Sequence, residues 1–111
     1  KLKIMENYKK TNLMDWEIGK VKGFSGKNLI NLENGGLKKV KVDSSSTYPS
    51  HLHPNKTEFI YVLEGNPKIT IGQNNYNGEK DDFFILPNSK THSINNPTDS
   101  ECFLLVGSIN N

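Results

Sequence analysis

The chain has 111 residues, 33% of them hydrophobic, with 14 basic residues against 12 acidic ones and a formal net charge of +2. That length fits one domain, and with so small a charge bulk electrostatics point to no particular partner. No apolar stretch approaches the ~20 residues of a membrane span, and the single cysteine, Cys102, excludes an intramolecular disulfide.

All the basic residues are lysine and alanine is absent, which argues against helix. Residues 1–12 are polar with scattered Leu2, Ile4, Met5 and Tyr8, and read as an arm or a first edge strand. Residues 13–21, with Trp16, Ile18 and Val21, are expected to enter the sheet. Gly23-Phe24-Ser25-Gly26 reads as a loop. Residues 28–33 form a short strand candidate, and Asn34-Gly35-Gly36 signals a hairpin because Asn and Gly tolerate positive φ. The return, residues 37–43, sets Val40 and Val42 on one face and Lys39 and Lys41 on the other. A lysine face of this kind is a solvated or edge-protecting one; without arginine or interleaved aromatics it does not read as a nucleic-acid surface.

After a polar linker, Ser44-Ser45-Ser46-Thr47, comes Pro49-Ser50-His51-Leu52-His53-Pro54. The turn Asn55-Lys56-Thr57 follows, and Glu58 then opens an apolar run, residues 59–63, that stops at Gly65. Further strands are expected at residues 68–72, from Tyr76, at 82–86 ending on Pro87, and at 102–106. The last histidine, His92, lies between Pro87 and a turn over residues 95–99. About nine short strands with turn signals every 8–12 residues indicate an all-β sandwich or barrel.

Residues two apart on a strand share a face, so His51 and His53 project together. The flanking prolines argue against helix, which would turn the two rings apart. A hairpin is expected to return Glu58 beside them. Imidazole nitrogens with a carboxylate oxygen suit a borderline divalent metal such as Zn, Fe, Mn, Ni or Co. Tyr61 is out of phase with Glu58 and is expected to point away, whereas the face of Tyr48 is not assignable. Cys102, in an apolar strand, reads as a buried inert thiol.

The spacing resembles the cupins. His51, His53, Glu58 and Gly65 match their first motif, and Pro87, His92 and Asn96 match the second. Three turn positions where the family carries glycine hold Ser45, Asp81 and Ser89, while Asp82 stands where the family often has Asp. The motifs and the segment between them cover residues 45–96, within a single domain over residues 1–111. The resemblance implies a cupin-type jelly-roll (double-stranded β-helix) barrel, one divalent transition metal on His51, His53, Glu58 and His92, and a homodimer as the commonest arrangement. Asn96 reads as structural, stabilising the turn after His92.

Four protein ligands leave an octahedral ion two positions, which suits a small-molecule metalloenzyme of dioxygenase or isomerase/lyase type. The thiol dioxygenases among the cupins use three histidines without glutamate, so Glu58 argues against that branch. The alternative is a non-catalytic module that binds or senses a metal or small molecule. No nucleic-acid or membrane partner is expected. One cysteine and no signal-peptide pattern point to the cytoplasm, although a chain numbered from Lys1 need not show its native start.

Overall fold

The computed structural model describes residues 6–111; the first five residues of the expected arm lie outside the described ones. Among the described residues ten strands follow a single 3-10 turn at Thr11–Leu13. In chain order they are β1 (Glu17–Ile18), β2 (Phe24–Leu32), β3 (Gly35–Val42), β4 (Thr47–His51) and β5 (Lys56–Glu64). Then come β6 (Lys68–Ile71), β7 (Asn74–Asn77), β8 (Phe83–Leu86), β9 (His92–Asn95) and β10 (Cys102–Asn110). All pairings are antiparallel. They make a six-stranded sheet, β1-β2-β3-β10-β5-β8, and a four-stranded sheet, β4-β9-β6-β7. This is the all-β arrangement that the strand pattern indicates, and its two sheets have the jelly-roll form that the cupin resemblance implies. Among the described residues no helix is long and apolar enough to cross a membrane.

The core lies between the sheets and follows from alternation. Val42 on β3, Ile60 and Val62 on β5, and Cys102 and Leu104 on β10 are fully buried from one sheet, with Ile69 on β6 buried from the other. Phe24, Leu86 and Ile94 complete the cluster. Burial pushes the Cys102 thiol up, against the backbone N–H of Asn66, as an inert core cysteine requires. Gly65, which ends β5, has φ +93°, and a Cβ there would lie 2.7 Å from Cys102 Sγ and 2.9 Å from its Cα. Only glycine fits both demands.

Three local expectations change. Phe24, Ser25 and Gly26 belong to β2, because Phe24 is drawn into the core and the segment pairs with β1 and β3; burial overrides loop-like composition. The β2–β3 hairpin turns on Glu33 and Asn34, with Gly35 already in β3. A Cβ on Gly35 would lie 2.3 Å from the Ser108 carbonyl oxygen, so this glycine serves the close approach of β10 rather than the turn. Of residues 13–21 only Glu17 and Ile18 pair as strand.

Trp16 packs on the outer face of the large sheet, 6.0 Å from the Phe103 ring. Lys27 Nζ lies 4.5 Å and Lys41 Nζ 5.1 Å from its ring centroid, and Lys27 also donates to the Thr11 carbonyl at 2.8 Å. The lysine side of β3 therefore roofs aromatic rings, a use of the long alkyl stems.

Candidate metal centre

The four residues singled out by spacing converge from both sheets. His51 ends β4 and pairs in register with His92 at the start of β9, in the small sheet. Glu58 lies on β5 in the large sheet, opposite Ser108 and Leu86. His53 follows β4 in the link that crosses from one sheet to the other. The expected β4–β5 hairpin is absent: β4 pairs with β9, and β5 with β10 and β8. Glu58 reaches the histidines across the gap between the sheets, because the inward faces of both strands must meet in one core.

A bulge aims the first histidine. Tyr48 pairs with Ile94 and His51 with His92, so three steps on β4 match two on β9. The extra residue falls at Pro49-Ser50, where a proline is tolerated because the ladder is already interrupted. It puts Tyr48 and His51 on the same face although they are three apart. Their rings are 4.8 Å apart, and Tyr48 meets the core ring of Phe24 edge-on at 5.1 Å. Tyr48, unassigned from sequence, thus backs His51. Tyr61 faces outward as its phase predicts, its hydroxyl donating to Asp81 at 2.9 Å.

The imidazoles of His51, His53 and His92 have centroid separations of 4.7, 4.3 and 5.6 Å. Glu58 Oε1 lies 3.4 Å from His53 Nε2 and 3.2 Å from His92 Nε2. One potential ligand atom from each of the four residues lies within 4.8 Å of every other. Two donors on one ion stand at most about 4.2 Å apart, twice a ~2.1 Å bond, so the group needs only a slight contraction to close on a cation. His51 Nδ1 lies 2.8 Å from the Pro49 carbonyl; with Nδ1–H donating there, Nε2 keeps its lone pair for the site. His92 is 3% exposed, yet neither ring nitrogen has an aligned hydrogen-bond partner. A buried imidazole left so is costly unless a cation takes up its lone pair. The donor set therefore fits a divalent transition metal.

The electrostatics prepare the same protonation states. Burial lowers the His53 imidazole, with Lys56, His51 and His92 adding to it against the pull of Glu58. Burial opposes ionisation of Glu58, but the His92 contact and the charges of Lys56, His53 and His92 outweigh it and hold the carboxyl below its usual value. Neutral imidazoles and an ionised carboxylate are the forms that ligate. Lys56 Nζ stands 3.9 Å from Glu58 Oε2.

The cluster opens into a cavity of about 670 Å³ between the sheets, walled by Phe24, Tyr48, Leu86, Ile94 and Val106. Lys38 and Lys56 also line it, and sequence reasoning assigned neither. Counting back by twos from Val42 and from Glu58 would have placed both on inward faces.

Asn96, the remaining motif residue, is fully buried and away from the cluster. Its amide donates to the carbonyls of Val42 (3.2 Å), Asp43 (3.2 Å) and Ser100 (2.7 Å). Its carbonyl accepts from the Thr98 N–H (3.1 Å) and hydroxyl (2.7 Å). It ties the turn after β9 to the end of β3.

The fold and site together define a class: a small two-sheet jelly roll with three histidines and a glutamate gathered in its mouth. The Cupin domain family matches this sequence over residues 38–107, and the chain belongs to that family. No curated protein sequence matches it. Among solved structures it resembles KdgF from a Halomonas species (16% identity, 95% of this chain and 94% of that one, TM-score 0.83). It also resembles a predicted oxalate decarboxylase from Thermotoga maritima (18% identity, 92% and 97%, TM-score 0.84). A third is a sugar phosphate isomerase from Silicibacter pomeroyi (21% identity, 89% and 73%, TM-score 0.81). At these identities the likeness establishes the fold.

Proposed function

We propose that the chain is a metal-dependent enzyme acting on a small molecule, of dioxygenase or isomerase/lyase type. His51, His53, Glu58 and His92 hold one divalent transition metal (Zn, Fe, Mn or Ni). The observation that carries this reading is the meeting of four ligand atoms within 4.8 Å, reached from two sheets and closed by a buried histidine with no other partner. A bound ion of this kind supplies Lewis acidity or, if redox-active, oxygen chemistry. The protein's own groups do the rest: Tyr48 backs His51, Lys56 stands by the Glu58 carboxylate, and the apolar walls exclude water from the reacting end. Solved relatives of the same fold carry the names of an isomerase and a predicted decarboxylase, in keeping with small-molecule chemistry at such a site. The same reading makes the protein a cytoplasmic homodimer with no nucleic-acid or membrane partner. Phe83 and Ile85, 55% and 57% exposed on edge strand β8, offer apolar surface that a second copy would cover.

The test is elemental analysis of protein purified without added metal or a histidine tag, alongside a His51→Ala, His92→Ala double variant. One transition metal per chain, lost in the variant, is expected. Wild-type protein that carries none and takes up none on titration overturns the reading. A loaded protein that turns over no substrate in a broad panel is a binding or sensing module instead of an enzyme.

A further inference from the structure

The two oxygens of Glu58 meet different partners. Oε1 stands 3.4 Å from His53 Nε2 and 3.2 Å from His92 Nε2. Oε2 is the oxygen nearer the Lys56 ammonium, at 3.9 Å, and among the described residues Lys56 is the only lysine paired with this carboxylate. Neighbouring donors on one ion lie about 3 Å apart, for ~2.1 Å bonds at right angles. Oε1 is therefore already close to that spacing from two imidazole nitrogens, while Oε2 faces a cation. The backbone accounts for this division. Lys56 and Glu58 are two apart on β5, so both side chains leave its inward face. Lys56, His53 and Glu58 border the same cavity, and the lysine side chain is 34% exposed against 14% for the glutamate. Across the strands Glu58 sits beside Ser108 on β10 and the buried Leu86 on β8, neither of which carries a charge for Oε2.

We propose that Lys56 is a positioning residue: it holds Oε2 so that Glu58 ligates through Oε1 alone, which leaves a position beside the carboxylate for a substrate oxygen. This rests on the metal-centre reading and adds to it the residue that sets how many positions the protein leaves open. A carboxylate can offer an ion one oxygen or two, and the partner of its second oxygen decides which. A charge-assisted contact on Oε2 favours the single-oxygen form. Four protein donors then leave two positions on a six-coordinate ion, and a second Glu58 oxygen would take one of them.

The experiment uses the whole chain, carbon-13 labelled at its glutamate carboxyls, as wild type, Lys56→Met and Lys56→Arg. Zn(II) uptake is measured first and should persist in all three, because Lys56 supplies no ligand. The infrared difference spectrum, zinc-loaded minus metal-free, then gives the gap between the antisymmetric and symmetric carboxylate stretches. That gap is wide for ligation through one oxygen and narrow for two. Wild type and Lys56→Arg should show the wide gap and Lys56→Met the narrow one. Acetohydroxamate, which chelates through two oxygens, and azide, which binds through one atom, are titrated into each loaded protein by calorimetry. Both bind as monoanions, so the lost lysine charge weakens them alike and their affinity ratio reports the open positions. The ratio should fall at least about tenfold in Lys56→Met, as the second anchor is lost, and hold in Lys56→Arg. A narrow gap in the wild type, or a Lys56→Met protein with a wide gap, an unchanged ratio or no Zn(II) uptake, overturns the inference and leaves the metal centre standing. Absence of Zn(II) uptake by the wild type overturns both.

Discussion

Replacing Asn96 tests whether the second motif holds the barrel together or serves the metal. The side chain is fully buried and makes five hydrogen-bond contacts, three donated to the carbonyls of Val42, Asp43 and Ser100 and two accepted from Thr98. At about 1 kcal/mol net per bond, Asn96→Ala would lose about 5 kcal/mol if all counted equally. Two donor protons shared among three carbonyls, and water reaching the carbonyls near the surface, reduce this to about 3 kcal/mol. Asn96→Asp keeps the shape but turns a carboxylate oxygen toward three carbonyls. It should cost at least as much at pH 7 and recover in part as the acid protonates. The assay is urea unfolding at pH 7 and pH 4, where about 3 kcal/mol moves the midpoint by roughly 1–3 M. Metal uptake by the folded fraction should persist, because Asn96 touches none of the four candidate ligands. A loss under about 1 kcal/mol for Asn96→Ala, or an Asp variant as stable as wild type at pH 7, refutes the role assigned to these bonds.

Two further outcomes are expected. Ser45 carries φ 59° on an exposed loop, so Ser45→Gly should raise stability by about 0.5–1 kcal/mol through relief of the left-handed backbone; an unchanged or lower urea midpoint would contradict this. The metal-free protein should lose stability in acid. Folded His53 and Glu58 both bind protons less readily than in the unfolded chain, so stability rises with pH across their range. The loss therefore begins as pH falls below 6.5, the ordinary value for His53, and continues below 4.5, that for Glu58. Urea midpoints measured in chelator from pH 8 to pH 4 check it, and a flat profile would show that neither group is perturbed.

The strand periodicity made much of the site legible in the sequence. His51 and His53 meet as their spacing of two suggested, although His53 lies past the end of β4 in the link between the sheets, and Glu58, Ile60 and Val62 alternate inward as a half-buried strand must. Pairing partners were not legible. Nothing in the spacing from His53 to Glu58 distinguishes a hairpin from a crossing between sheets, since distant residues on β9 and β10 decide it. The bulge at Pro49-Ser50 was hidden as well, and with it the face of Tyr48, because an added residue shows only against the partner strand. The missing turn glycines prove tolerable for distinct reasons. Ser45 and Asp81 adopt the positive φ themselves, at 59° and 75°. Asp81 is held by its N–H on the Val62 carbonyl and its carboxylate on the Tyr61 hydroxyl. Ser89 lies in a turn that needs no positive φ. The backbone path is thus kept by hydrogen bonds where glycine's freedom would otherwise supply it.

The place of β10 bears on how the chain acquires its shape. Residues 102–110 are the last strand in order, yet they lie between β3 and β5 in the large sheet. Until they arrive, β2–β3 and β5–β8 are separate ribbons, each showing an unpaired edge and half of an apolar face. During synthesis the two ribbons can join into one sheet only after that segment leaves the ribosome, so the mouth, with Glu58 on one ribbon and Lys38 on the other, is assembled in a late, concerted step. Such non-local closure is characteristically slow, on the order of milliseconds to seconds. Over that interval the exposed ribbons are the form of the protein most open to chaperones and to self-aggregation.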